Sequence, residues 1–259
     1  MQDLIRKLFL YYRALRIKIL NKDVILSLDG LRILVRNPRQ AFIGRSLYLE
    51  GTWEQEVTQF VSSNVKPGMI LLDVGADIGY YTLLFAKLIG QTGRVFSFEP
   101  IPKSKWYLDK NIEMNGLSNV STFNFALFDK AAKACLEEPL TKSKINPFKE
   151  QLTGSDIVVE MKVFDDWKFD KGIAHVDLVK IDVEGAELNV LRGMTDTLQT
   201  NRPSLIIEVH PKQLEDFGFS PDDLSEFLIM LGYTIKPIDK LNLDLSAGNI
   251  TVFCEHEPG

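Results

Sequence analysis

Cysteine is nearly absent: Cys135 and Cys254 are the only two in 259 residues. That is too few for the disulfide framework that holds small secreted domains together, and a reducing, cytoplasmic location is the simplest expectation. Long apolar runs are also missing. No stretch approaches the ~20 residues needed to cross a bilayer. A secretory signal is not expected, because Tyr11-Tyr12-Arg13 interrupts the early apolar residues and no small-residue cleavage site follows. An excess of positive charge is missing: the net charge is −5, which disfavours nucleic acid, RNA included, as a partner. Internal repeats and low-complexity segments are missing as well. The remaining composition, 45% hydrophobic and 25% charged, is that of an ordinary globular protein, and the length suits one large α/β domain with a modest appendage.

The charge is unevenly spread. Residues 1–22 hold Arg6, Lys7, Arg13, Arg16, Lys18 and Lys22 against Asp3 alone. Leu4, Leu8, Tyr12, Leu15 and Ile19 recur there at helical spacing. Two readings stand: a helix docked on its own domain, or a basic amphipathic helix making a peripheral contact with an anionic membrane. Asp23 to Val35 then reads as a β-hairpin with its turn near Asp29-Gly30. Residues 1–47 are expected to form this appendage of basic helix and hairpin, and residues 48–259 the main domain.

Trp53 to Asn64 reads as a helix, and Lys66-Pro67-Gly68 punctuates the entry to a sheet. Strands are expected over 69–72, 95–98, 120–125, 176–181 and 204–209. Helices are expected over 80–88, 103–115 (stopped by Gly116), 186–198 and 221–231, the last with Asp222 and Asp223 in its first turn. Such alternation predicts a mostly parallel sheet with helices on both faces. Two short-linked strands, 233–238 and 249–254, predict an antiparallel hairpin at one edge. Residues 127–170 break the rhythm: strands over 134–136 and 157–163 flank a polar loop, 140–155, long enough to serve as a lid over a site.

The most informative stretch is Asp73-Val74-Gly75-Ala76-Asp77-Ile78-Gly79, placed between an apolar strand and a helix, with Glu99 ending the next strand. This is a nucleoside-binding βαβ unit with an acid where a ribose would sit. Dinucleotide folds use G-x-G-x-x-G so that the backbone can approach a pyrophosphate. Here the spacing is D-x-G-x-x-x-G, with no middle glycine. It suits a cofactor without a diphosphate, of which S-adenosylmethionine is the usual one. Gly75 allows a sharp turn, Gly79 opens the helix and permits close approach of the cofactor, and the free N–H groups of that helix start can receive a carboxylate. Asp73 would hold the loop or reach the cofactor ammonium. Glu99 can accept both ribose hydroxyl protons. The expected cofactor wall is Asp73, Gly75, Ala76, Asp77, Gly79, Tyr80, Glu99, Pro100, Ala126 and Asp182.

A second constellation is Lys180-Ile181-Asp182-Val183-Glu184-Gly185-Ala186-Glu187, followed by Glu208-Val209-His210 at the end of a neighbouring strand. Both strand ends should open onto one crevice. Glu187 reads chiefly as a cap of the helix that follows. With these residues, with Asp73 to Thr82, with Phe98-Glu99-Pro100 and with Asn115 to Val120, the chain resembles the FkbM family of S-adenosylmethionine-dependent methyltransferases over about residues 48–254. The resemblance implies a class I methyltransferase (Rossmann-like) fold, a mostly parallel seven-stranded sheet with an antiparallel edge hairpin, and O-methylation of a hydroxyl on a sugar, glycan or natural product. Members usually carry Asn where this chain has Asp77, which leaves the role of that carboxylate open.

Methyl transfer to a hydroxyl needs alignment and a base. His210 is the first candidate, its ordinary pKa lying near neutrality; Glu184 is the second, and Asp182 is expected to position cofactor or acceptor. Nothing demands a metal, although Asp182, Glu208 and His210 could supply part of a Mg²⁺ site. A nicotinamide-dependent oxidoreductase and a non-catalytic nucleoside-binding module stand as alternatives. The acceptor and the oligomeric state are not encoded in any motif.

Overall fold

Asp29 and Gly30, both at positive φ (47° and 80°), close a tight hairpin between β1 (Val24–Leu28) and β2 (Leu31–Val35), paired antiparallel with Leu28 opposite Leu31. The structure, a computed structural model, describes residues 11, 13, 17–137, 144–146, 157–239, 243–246 and 248–256. After the hairpin come α1 (Phe42–Glu50) and α2 (Gln55–Asn64). The βαβ rhythm follows: β3 (Ile70–Val74), α3 (Tyr80–Ile89), β4 (Arg94–Phe98), α4 (Pro102–Asn115) and β5 (Val120–Phe123).

Next come β6 (Ala126–Leu127), β7 (Ala132–Glu137), β8 (Lys144–Asn146), β9 (Ile157–Lys162) and α5 (Phe164–Lys171). The chain returns to the main sheet with β10 (Leu178–Ile181), α6 (Glu187–Arg192), α7 (Thr195–Thr200) and β11 (Ser204–Val209). It ends with α8 (Pro211–Asp216), α9 (Pro221–Met230), β12 (Tyr233–Pro237) and β13 (Ile250–His256).

The main sheet has seven strands in the order β12-β13-β11-β10-β3-β4-β5. The pairs from β11 to β5 are parallel. β13 lies antiparallel between β11 and the edge strand β12, which is the expected edge hairpin. The order reverses beside β3, where β4 lies on one side and β10 on the other. Ligands in open α/β sheets bind at such a switch point, beyond the carboxyl ends of the strands. Both faces are covered. Leu71, Val95 and Ile206 pack against α2 and α3 through Val57, Val61, Phe85 and Ile89. Leu72, Phe98, Val179 and Ile207 face the other way, toward Trp167, Leu191, Leu198 and Leu228. Period-two side chains with both faces buried explain the near-continuous apolar strands.

Two expectations are corrected. The strand expected over 120–125 ends at Phe123, because the Asn124 amide donates to the carbonyls of Glu99 and Pro100 (2.8 and 3.0 Å) and turns the chain. β6 then joins a second sheet of order β6-β9-β7-β8. The helix expected over 186–198 is two helices. A Cβ at Gly193 would sit 2.1 Å from the Phe128 carbonyl oxygen, and the Asp165 carboxylate accepts from the backbone N–H groups of Asp196 and Thr197 to start α7 afresh. Helices α1, α5 and α8 were not foreseen.

The expected lid, 140–155, lies outside the described residues except for β8. So does most of the amphipathic segment 4–20, and with it the membrane-contact reading of residues 1–22. Among the described residues no helix is long and apolar enough to cross a membrane.

The hairpin is fastened to α4 by two asparagines. Asn111 accepts from the N–H of Leu34 (2.6 Å) and donates to the carbonyls of Leu34 and Ile78. Asn115 brackets Arg32 in the same way, through its N–H (2.8 Å) and its carbonyl (2.6 Å). Residues 23–35 are thereby held beside the glycine-bearing loop after β3.

Candidate active site

The carboxyl ends of β3, β4, β10 and β11 open onto a cavity of about 1290 Å³. Asp73, Gly75, Ala76, Asp77, Tyr80, Glu99, Pro100, Ala126, Asp182, Glu184 and His210, all singled out in the sequence, line it. Gly79 does not. Its φ of +91° and a hypothetical Cβ only 2.5 Å from Leu108 Cδ1 show that glycine here lets the loop pack closely on α4. Gly75 (φ +84°) combines both demands: it lines the cavity, and a Cβ there would lie 1.8 Å from the Asp182 carbonyl oxygen.

Glu99 is 4% exposed. Its Oε2 accepts from the N–H of Asp77 and its Oε1 from the N–H of Ile101, both at 2.8 Å. Each oxygen keeps lone pairs for a further donor. Burial, reinforced by the charge of Asp77, pushes its carboxyl up to about 8, against the pull of the two N–H groups and Arg36. Asp73, 1% exposed, accepts from the Thr82 hydroxyl; burial raises its pKa as well. Asp77 Oδ1 accepts from the Ser104 hydroxyl at 2.8 Å.

On the β10–β11 side, His210 is 1% exposed. Its Nδ1 lies 2.8 Å from Glu187 Oε1, and its Nε2 lies 3.4 Å from Glu208, 3.7 Å from Glu184 and 3.9 Å from Asp182. Burial disfavours the imidazolium, but the hydrogen bonds to Glu187 and Glu208 and the surrounding carboxylates outweigh it and raise His210 to about 11. This favours the imidazolium at neutral pH, the form with no lone pair to offer, and weighs against the expected role of His210 as the base. Its partner Glu208 falls to about 2, burial being outweighed by the hydrogen bond to His210 and the charge of that ring. Glu187, in the first turn of α6, both holds His210 and accepts from the N–H of Gly185 (2.9 Å), though it makes no side-chain cap hydrogen bond to that helix.

Asp182, half-buried, sits between Lys180 Nζ at 3.3 Å and His210. Desolvation lifts its carboxyl to about 7, against the lowering pull of Lys180 and with a further push from Glu208. A carboxylate poised near neutrality suits proton transfer. Asp182, Glu208 and His210 offer one ligand atom each within 4.8 Å of one another, but two buried cations, Lys180 and His210, already lie among these acids.

Sequence reasoning gave no role to Lys180, Glu54 or Tyr81, which stand in this wall. Lys180 is 2% exposed in the middle of β10, with its ammonium over the Tyr81 ring (4.6 Å). Burial alone would lower its pKa, yet Asp182, Asp73 and Glu54 hold it above the ordinary value. A lysine inside an otherwise apolar buried strand was the available signal. Glu54 accepts from the Tyr81 hydroxyl at 2.7 Å, and burial raises its carboxyl; no sequence pattern marked Glu54, and Tyr81 stood in the glycine-loop motif without a role of its own. Glu54, Asp77 and Glu184 stand at positive φ (40°, 43° and 50°) and all line the cavity. Strained backbone of this kind collects at functional sites.

Known proteins are similar to this chain in sequence and in fold. The chain is 26% identical over 162 residues to the 2-O-methyltransferase NoeI of Sinorhizobium fredii, covering 56% of this chain and 65% of that protein. It is 28% identical over 191 residues to the hexuronic acid methyltransferase AglP of Haloferax volcanii, 74% of each chain. The crystal structure of Methyltransferase FkbM from Methylobacillus flagellatus KT superposes with a TM-score of 0.51 at 14% identity, over 81% of this chain and 52% of that one, which is a likeness of fold. The model of the Methyltransferase FkbM domain matches residues 73–235, from the first acid of the glycine loop to the edge hairpin, and the chain belongs to that methyltransferase family.

Proposed function

We propose that this methyltransferase uses S-adenosylmethionine to methylate a hydroxyl on a sugar, glycan or natural product. The observation that carries the donor assignment is Glu99: a buried acid whose two oxygens are already oriented by backbone N–H groups and still face the cavity. Two vicinal ribose hydroxyls match those remaining lone pairs. The rest of the wall fits the same donor. Gly75 turns the loop tightly, no glycine makes room for a diphosphate, and Asp73, Glu54, Asp182 and Glu208 give a floor suited to a sulfonium and an ammonium. When bound, that group supplies an activated methyl.

The chain's own part is to hold and to deprotonate. Glu99 and the Gly75–Asp77 loop hold the nucleoside. Asp182, kept in place by Lys180 on Oδ2, takes the acceptor proton on Oδ1. His210, as an imidazolium, fixes Glu208 and the turn at Glu184, and so positions Asp182. In line with the relatives named as acting on sugars, an aromatic pair stands at the cavity wall. Phe42, 80% exposed, meets Trp53 edge-on at 5.5 Å, a surface on which the apolar face of a sugar ring can rest. In this reading residues 48–259 form the catalytic unit, residues 1–47 supply part of the cavity wall, and the enzyme works in the cytoplasm.

The test is a methyl-transfer assay with Asp182→Asn and His210→Gln beside the unchanged enzyme, with donor-product binding followed in parallel. Asp182→Asn lowers turnover by about 10²–10⁴, the usual contribution of a general base, and binds S-adenosylhomocysteine within a few-fold of the unchanged enzyme. Full turnover by Asp182→Asn removes it as the base. Binding of the donor with no transfer to any hydroxyl acceptor would favour the non-catalytic module.

A further inference from the structure

Two carboxylates stand side by side at the donor wall, Asp77 in the glycine loop and Glu99 at the end of β4, and the charge of one raises the pKa of the other. The cation that answers them comes from outside the matched family region. Arg36 follows directly after β2. Its Nη2 donates to the Ser104 hydroxyl at 2.7 Å, and that hydroxyl, 2% exposed at the start of α4, donates to Asp77 Oδ1 at 2.8 Å. The guanidinium lies 5.2 Å from the centre of the Tyr107 ring. Tyr107 in turn donates to Asp23 Oδ2, and Asp23 Oδ1 accepts from the N–H of Asn37 (3.0 Å). Arg36 is thus held from both sides, and its buried Nε has no partner. Arg36, Asp77 and Glu99 all face the same cavity.

We propose that Arg36, through Ser104, is a positioning residue of the donor pocket, which makes the β1–β2 hairpin a working part of it. Arg36 does not reach a reacting atom. It orders Asp77 through one hydroxyl and sets a positive charge beside the two neighbouring acids, which pulls the Glu99 pKa down. Asp77, left alone with Glu99, would repel it and swing the loop away from the N–H geometry that orients Glu99 Oε2.

This inference rests on the donor reading above, and the experiment separates the two. The full chain is titrated calorimetrically with S-adenosylhomocysteine at neutral pH, as the unchanged protein and as Arg36→Met, Asp77→Asn and the double variant, each checked for folding by thermal melting. Arg36→Met weakens binding about tenfold when Asp77 is present and by less than about threefold in the Asp77→Asn background, the coupling expected of residues in one network. If Arg36→Met does not fold, Arg36→Gln, which can still reach Ser104 without the charge, takes its place with the same expectation. Equal losses in both backgrounds, or no loss, overturn the proposal: the first leaves Arg36 a mere fastener of the hairpin, the second gives it no part. Absence of binding by the unchanged protein overturns the donor reading instead.

Discussion

Glu99 sets the pH dependence of donor binding. A free-protein value of about 8 means that the carboxyl is protonated over much of the neutral range. Ribose hydroxyls donate to the ionised form and pull its pKa down in the complex. Affinity for S-adenosylhomocysteine therefore climbs as pH rises from 6 toward 8 and levels above it; titrations across that range check this, and a flat profile would contradict it. Asp182, near 7, gives turnover an ascending limb through neutrality that Asp182→Asn abolishes. Much of this was legible at the residue scale. The glycine spacing, the acid twenty residues on, and the two acidic strand ends marked ten of the eleven cavity residues quoted above before any coordinates, with Ala126 the addition that position alone suggested. His210 was found, but its protonation was not legible, because Asp182 and Glu187 after β10 are brought around its ring only by the pairing of β10 with β11. Glu54 was invisible for the same reason.

At the scale of elements, polar side chains stitch backbone to backbone. Asn111 satisfies the N–H and C=O of Leu34 and the C=O of Ile78. Asn111→Ala strands all three, and at ~1 kcal/mol or more for each unsatisfied group the loss is about 3 kcal/mol. That corresponds to a fall in melting temperature of roughly 6–12 °C; a change below 2 °C would show that the hairpin is held by its apolar contacts alone. The capping box of α9, in which Ser220 and Asp223 bond reciprocally, predicts a smaller effect: Ser220→Ala costs ~1 kcal/mol, about 2–4 °C. Long amphipathic or alternating stretches announced most elements, including the hairpin and the edge strands. The failures were at breaks. Asn124 ends β5 through carbonyls far away in sequence, and Gly193 divides α6 from α7 because of Phe128, so no local pattern could have marked either.

For the whole molecule, sheet order decides the chemistry. Reversal beside β3 brings the glycine loop against the Asp182 turn, so closely that Gly75 has no room for a Cβ, and the hairpin closes the cavity on its other side. Because Lys180 and His210 already supply positive charge among the acids, turnover is expected to survive EDTA; activity lost to EDTA and restored by Mg²⁺ would instead give Asp182, Glu208 and His210 a metal. The most direct test of the central claim, that an adenosyl donor is held at the β3–β4 switch by Glu99, is calorimetric titration of S-adenosylhomocysteine into the intact chain and into Glu99→Ala. Saturable heat from the first and at least about a hundredfold weaker binding by the second, near 2.7 kcal/mol, is the predicted result. No heat from the intact chain, or equal affinity in both, would contradict it.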